Sequence, residues 1–320
     1  MTETITFLIF LAVLFGLVVF LHKEIRRPPG PRAWGRTPRW MKRVRVTLAT
    51  IPLLLGCMVF WAFLVEPNRL VMRHETVTIN RWPKEHSDLK VAVLSDIHAG
   101  GWFIGDSKLR LIVERTNQLQ PDLIVILGDY MTGDSSTSDR MEPELFAAVL
   151  KDLRAPLGVY SVLGNHDWWW NGRRVQAGLE ANGIKVLEDE VVEVKARGGS
   201  IWLAGLADLW TRPQRIEQTI EMVPLDQPII ALTHNPDIFP RLPERVHLLL
   251  AGHTHGAQVR FPIIGTLFEP SRVSPRYVRG HVFDNNHHLF VTTGIGTSIV
   301  PVRFGVPPEI VLLSVRSGGR

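Results

Sequence analysis

Leu250–Gln258 reads LAGHTHGAQ, and the parsing of the chain starts there. An apolar run, Val246 to Ala251, stops at Gly252, and His253 and His255 follow one residue apart, held between Gly252 and Gly256. Short apolar runs closed by turn residues read as buried strands. Two imidazoles are therefore presented on a tight loop at the end of a core strand. In open α/β sheets that is where ligands bind.

The same layout recurs upstream. Lys90 to Leu94 ends in Ser95-Asp96-Ile97-His98, Leu123 to Leu127 in Gly128-Asp129-Tyr130, Val159 to Leu163 in Gly164-Asn165-His166-Asp167, and Ile229 to Leu232 in Thr233-His234-Asn235-Pro236. Between the first three runs lie helical patterns. One carries Leu109, Ile112, Val113 and Thr116, with Asp106 or Ser107 as its cap; the other carries Leu145, Phe146, Val149, Leu150 and Leu153. Strand, helix, strand, helix, strand predicts parallel βαβ units in an α/β sheet. The second half adds helices at Arg173–Ala181, stopped by Gly183, and at Pro213–Met222. Val191–Val194 and Ile201–Leu206 read as paired strands, and Gln258–Phe261, Leu289–Thr292 and Ile310–Val315 complete a sheet-rich half. Leu70 to Ile79 alternates apolar and polar, as an edge strand does.

Charge divides the chain sharply. Lys23 to Arg45 holds nine Lys or Arg and one Glu, and taking that +8 from the chain's +5 leaves −3 elsewhere. The basicity belongs to one short segment, which argues against a nucleic-acid footprint on the remainder. Apolar runs flank it at Ile5–Leu21 and Val46–Val65, each long enough to cross a hydrocarbon core of roughly 30 Å. The first could instead be a signal peptide, but it lacks a basic start and a small-x-small cleavage site. Two membrane helices with the basic loop in the cytoplasm follow the positive-inside rule and put the rest of the chain outside. The expected segments are helix 1–22, basic loop 23–45, helix 46–66, tether and edge strand 67–88, and a globular domain 89–320. The location is a cell membrane, an inner membrane where there are two. The sole cysteine, Cys57, excludes a disulfide framework and a Cys-rich zinc site.

Asp96, His98, Asp129, Asn165, His166, His234, His253 and His255 thus sit on five separate strand ends. Oxygen and imidazole donors without thiolate suit Mn, Fe or Zn in an open site. Asp129, with two carboxylate oxygens, could bridge two cations for attack at phosphorus. Singly, each residue has a blander reading as a turn or core residue, and His22, His74, His86, His247, His281, His287 and His288 take it.

The ordered set Asp96-Ile97-His98, Gly128-Asp129, Gly164-Asn165-His166-Asp167, His234 and Gly252-His253-Thr254-His255 resembles the calcineurin-like metallophosphoesterases, most closely their membrane-associated or exported bacterial phosphodiesterases. The likeness runs from Leu89 to Val315. It includes tail stretches Arg276–Gly280, Gly294–Thr297, Pro301-Val302-Arg303 and Pro307-Pro308-Glu309. That subgroup reads Gly-Gly-Gln after its histidine pair, where this chain has Gly256-Ala257-Gln258. The resemblance implies a four-layer αββα sandwich and two divalent ions (Mn, Fe or Zn). Asp96, His98 and His255 would hold one, Asn165, His234 and His253 the other, with Asp129 bridging. His166 would donate to the phosphoryl group or leaving group, and Asp167 would orient it. Gly294, Gly296 and Arg303 are left outside the site, Arg303 as an ion-pair partner.

The implied activity is phosphodiester hydrolysis by direct attack of a metal-held hydroxide. A pyrophosphatase acting on a nucleotide-linked lipid precursor is the alternative within the class, and a non-catalytic metal-binding scaffold the alternative outside it. No obligate protein partner is evident. Trp102, Phe103, Trp168, Trp169 and Trp170 either pack the rim of the core or form an apolar lip for a lipid-linked phosphate.

Overall fold

The computed structural model describes residues 39–133, 140–266, 270–284 and 286–318, together with Gly16, Val19 and Lys23. The first expected membrane helix and most of the basic loop lie outside the described residues. The chain divides into two compact units, Met1–Val65 and Glu66–Arg320.

In the first unit, helix α1 spans Arg39–Phe60 and ends in a π-helical turn, Trp61–Val65. The helix begins earlier than the apolar pattern predicts, so the last part of the expected basic loop is helical. Ile51, Leu53, Leu54 and Leu55 are exposed on it. Among the described residues, one helical stretch, Thr50–Asn68, is long and apolar enough to cross a membrane. The second expected span falls on it.

Among the described residues the second unit is built on fourteen strands and five α-helices. The chain passes in order through β1 (Val71–Ile79), β2 (Leu89–Leu94), α2 (Asp106–Gln118), β3 (Leu123–Ile126), α3 (Pro143–Leu150) and β4 (Val159–Ser161). Next come α4 (Asn165–Trp170), α5 (Gly172–Glu180), β5 (Lys185–Val186), β6 (Glu190–Ala196) and β7 (Gly199–Gly205). After α6 (Ile216–Glu221) the strands are β8 (Ile229–Leu232), β9 (Leu248–Ala251), β10 (Arg260–Phe261) and β11 (Gly265–Thr266), then β12 (Gly280–Asp284), β13 (His287–Val291) and β14 (Glu309–Ser317). One six-stranded sheet has the order β1-β14-β2-β3-β4-β5, the other β12-β13-β9-β8-β7-β6. β1 is the edge strand its alternation predicts, and it belongs to the first sheet rather than to a tether. It runs parallel to β14 from Val71 opposite Glu309 to Ile79 opposite Ser317.

Period-two alternation sorts the strand side chains into layers. Ala92, Leu94, Ile124 and Ile126 pack under Leu109, Ile112, Phe146, Leu150, Val175 and Leu179 of the helices. Their neighbours Val91, Val93, Leu123 and Val125 point the other way and meet Leu203, Ile230, Leu232, Leu248 and Leu250 of the second sheet. The far face of that sheet, with Ala231, Leu249, Ala251 and Leu289, packs on Ile216, Ile220, Ile238 and Phe239. Each fully buried aliphatic side chain contributes about 1.5–3 kcal/mol.

Four local expectations change. α2 is capped by the Gly105 backbone, with no side-chain cap; Asp106 pairs instead with Arg110 one turn on, at 2.8 Å. Leu145 is exposed, because α3 turns only one stripe to the core. The stretch after Gly164 is a short helix, α4, whose Asp167 carboxylate accepts from the Gly164 backbone N–H at 2.9 Å. Gln258–Phe261 does not join the main sheet; its β10 part forms a two-stranded ribbon with β11.

Candidate metal centre

Four strands of the two central sheets, β2, β3, β8 and β9, deliver their polar ends to one place. The loops are tied to each other by backbone: Asp96 N donates to Gly128 O at 2.9 Å, His98 N to Asp129 O at 3.0 Å and Gly252 N to His234 O at 3.0 Å. His253 N donates to both Asp96 carboxylate oxygens, at 3.2 and 3.1 Å. Leaving a strand this abruptly forces the left-handed region. Asp96, His98, Asp129, His253 and His255 all have φ between 49° and 69°. Left-handed backbone is uncommon outside glycine and costs on the order of 1 kcal/mol per residue. Packing is as tight: a Cβ on Gly164 would collide with the Asp129 carboxylate.

The ligand atoms converge. Asp96, His98 and His255 form one group whose donor atoms lie within 4.8 Å of one another, and Asp129, His234 and His253 form a second. His98 Nε2 is 3.2 Å from His255 Nε2, and His255 Nε2 is 3.3 Å from Asp96 Oδ1. His253 Nδ1 is 3.1 Å from His234 Nε2. A single oxygen, Asp129 Oδ2, faces both groups, at 3.1 Å from His234 Nε2 and 3.8 Å from His98 Nε2. Asn165 brings a buried amide whose Oδ1 has no protein partner.

The donor set fits divalent cations. Nδ1 of His98 contacts Met131 O, and Nδ1 of His234 contacts Leu127 O, each at 2.7 Å. A carbonyl can only accept, so Nδ1 carries the proton and each Nε2 turns toward Asp129, as metal-ligating histidines are oriented. Burial, reinforced by neighbouring imidazoles, pushes His98 down to about 4 and His253 down to about 3. Both are therefore neutral near pH 7, as ligation requires. Burial works against a charge on His234 too, yet Asp129, Asp96 and Asp208 hold it up at about 10. Burial opposes ionisation of Asp129, but His234, His166 and His98 keep its carboxyl well below the ordinary range. The carboxylates of Asp129, Asp96 and Asp208 thus favour positive charge at the position of the His234 ring.

His166 and Asp167 part company. His166 Nδ1 contacts Gly133 O at 2.9 Å, and its Nε2 lies 3.4 Å from Ser298 Oγ. The ring meets His98 edge-on at 4.9 Å between centroids. Asp167 does not orient it. Neighbours on a helix point about 100° apart, and the Asp167 carboxylate instead accepts from the backbone N–H groups of Asp129, Tyr130, Met131 and Gly164, each at 2.9 Å. Asp167 thus shapes the loop that carries Asp129.

Two residues outside the expected set belong here. Arg303 is fully buried, and among the described residues its hydrogen bonds go to carbonyls rather than to a carboxylate. Its guanidinium donates to Thr293 O, Gly294 O, Gly296 O and Val306 O and stands 3.4 Å from His255 Nδ1. Gly294 belongs to the same support, since a Cβ there would sit 2.7 Å from Asp96 Cβ. Trp210 meets the His253 ring edge-on at 4.4 Å and stacks on Trp169 at 6.3 Å. Of the three consecutive tryptophans only Trp169 contacts His166, at 4.8 Å; Trp168 and Trp170 pack against the helical core. Arg303 and Trp210 carry no local signal beyond the tail likeness.

The calcineurin-like phosphoesterase profile matches residues 89–257, more than half of the chain. The chain belongs to this family. It is a metal-binding hydrolase of phosphoric ester bonds. It is 28% identical to the uncharacterized metallophosphoesterase YkuE of Bacillus subtilis, over 87% of this chain and 97% of that relative. To phosphodiesterase YaeI of Escherichia coli it is 29% identical, over 71% of this chain and 82% of that one. A transmembrane protein with metallophosphoesterase domain from Danio rerio is 30% identical, over 95% of this chain and 69% of that relative. Together with the apolar helix, relatives so named point to membrane association.

Proposed function

We propose a membrane-anchored phosphodiesterase with two divalent ions, Mn, Fe or Zn. The observation that carries it is Asp129 Oδ2, which faces both groups of donors. Asp96, His98 and His255 would hold one ion and Asn165, His234 and His253 the other, with Asp129 shared between them. When bound, the ions supply Lewis acidity that neutralises phosphoryl charge and lowers the pKa of water. The chain's own groups do the rest. His166, with Nδ1–H donated to Gly133 O, turns Nε2 toward the site, and as the doubly protonated imidazolium it would donate that second proton to the leaving group. The Asp167 carboxylate keeps the Asp129 loop in place. Trp169 and Trp210 wall the side of the second ion and favour an amphiphilic diester, lipid-linked phosphate included.

Topology is part of the proposal. Thr50–Asn68 would span the bilayer, residues 1–22 would supply another span, and the basic stretch would lie in the cytoplasm, leaving the chain after Asn68 outside with the catalytic domain at 89–320. A reporter active only in the cytoplasm, fused after Arg320, should be silent.

Turnover of a soluble aryl phosphodiester and the matching monoester tests the chemistry, after chelation and after adding back Mn, Zn or Fe. Metal-dependent cleavage of the diester is expected, falling on the order of 10³-fold in both Asp129→Asn and His166→Ala. Turnover that survives chelation, or either substitution, would overturn the assignment.

A further inference from the structure

The chain enters its catalytic fold at the end that carries the metal loops. Val71 pairs with Glu309, the first residue of β14. β14 runs antiparallel to β2 with Val311 opposite Val93, so Glu309 is level with Ser95, beside Asp96. Backbone hydrogen bonds trace the link: Val71 N donates to Pro308 O at 2.9 Å, Glu309 N to Gly294 O at 3.1 Å and Gly296 N to Asp96 O at 2.6 Å. Arg73 Nη1 reaches Glu309 Oε2 at 3.2 Å, while Glu309 Oε1 accepts from Thr293 N at 2.8 Å.

The apolar stretch ends at Asn68, and the strand begins at Val71. The two residues between reach about 7 Å when extended. The link has no slack, because Asn68 O accepts from Lys108 Nζ at 2.8 Å. Connectivity alone therefore keeps this end of the sheet close to any bilayer that holds Thr50–Asn68.

At this end the fold puts aliphatic side chains into water. Ser298, beside His166, is followed by Ile299, 93% exposed. Ile299 has φ of 65°, a costly conformation for a β-branched residue. Ser298 N donates to Gln258 Oε1 at 2.9 Å, Gln258 Nε2 returns to Ser298 O at 3.0 Å, and Arg260 N donates to Phe304 O at 2.7 Å. These bonds lace the loop to the β10–β11 ribbon, whose tip carries Ile263 and Ile264, 98% and 72% exposed. Grouped exposed aliphatics mark an interaction surface rather than ordinary scatter. Arg260 and Arg272 are also exposed near the mouth, Arg272 over the Trp210 ring, and cations there suit anionic headgroups.

We propose that Ile263, Ile264 and Ile299 are a docking surface for the lipid bilayer, so that the metal centre opens at the lipid–water interface and takes amphiphilic phosphodiesters from it. The inference rests on the anchoring of Thr50–Asn68 proposed above.

The test uses the full chain in vesicles of phosphatidylcholine and phosphatidylglycerol carrying nitroxide acyl chains. A fluorophore is placed on native Cys57 in the apolar helix. In a Cys57→Ser background it is placed instead on Ile263→Cys, Ile299→Cys or, as a control, Leu225→Cys. Leu225 is 78% exposed and precedes β8, at the opposite end of the second sheet. Labels at 263 and 299 should be quenched several-fold more than the label at 225. Quenching at 57 with none at 263 and 299 overturns docking and leaves anchoring intact. Absence of quenching at 57 overturns both, without touching the phosphodiesterase reading, which soluble turnover reports separately.

Discussion

The two groups of ligands are built differently. Asp96, His98 and His255 are buried, and behind them Gly294, Gly296 and Arg303 fill the space to the core. His253 is only half-buried and borders the exposed Trp210, while Asn165 offers an oxygen that nothing else in the protein uses. His234 and Asn165 are as buried as the first group, so the second group reaches the surface only at His253. On the proposed two-ion reading, the first group would retain its ion and the second would face the substrate at His253.

Unequal metal loss is the strongest way to break that contrast. His253→Ala and His98→Ala should each lower diester turnover by on the order of 10²-fold. Metal analysis should show His253→Ala retaining about one ion, whereas His98→Ala also melts earlier because Met131 O loses its donor. Equal losses in both variants would erase the distinction.

Arg303→Leu probes the first group. It leaves four buried carbonyls without this donor, and destabilisation by about 3 kcal/mol in urea unfolding is expected. Arg303→Lys should recover part of it, since one ammonium cannot reach all four.

Behind the second group, Glu188 Oε1 accepts from Leu163 N at 3.1 Å, while Oε2 is shielded with no partner. Burial pushes its carboxyl up to about 8 from 4.5. Between those values the folded protein keeps a proton that the unfolded chain releases, so stability falls as pH rises through the window. Melting temperatures of Glu188→Gln should decline less from pH 5 to pH 8 than those of the parent; parallel profiles would count against it. The smallest effect is expected of Trp210→Ala, a rise of several-fold in KM for an aryl diester at nearly constant kcat, worth about 1 kcal/mol.

Much of this was readable because strand and ligand share a local signature. Apolar runs such as Leu123–Ile126 and Leu248–Ala251 announce themselves, and each ligand follows within a few residues. The sheets' layering follows from alternation at positions such as Val93 and Leu94. What escaped depends on geometry that chain neighbours do not show. Asp167 adjoins His166 in sequence and so invited pairing, but the helix rotates successive side chains by about 100° and gives Asp167 to the Asp129 loop. Arg303 read as an ion-pair partner because its actual partners are carbonyls, which every residue carries. Trp210 reaches His253 from a loop more than forty residues away.

The pairing of β1 has a mechanical consequence. Nine residues of this strand lie in parallel register with β14, and the end nearer the apolar stretch is Val71. A pull directed along this strand would load the whole ladder in shear instead of peeling it pair by pair. A tug at the tether enters opposite Glu309, and the nine paired residues of the ladder share it.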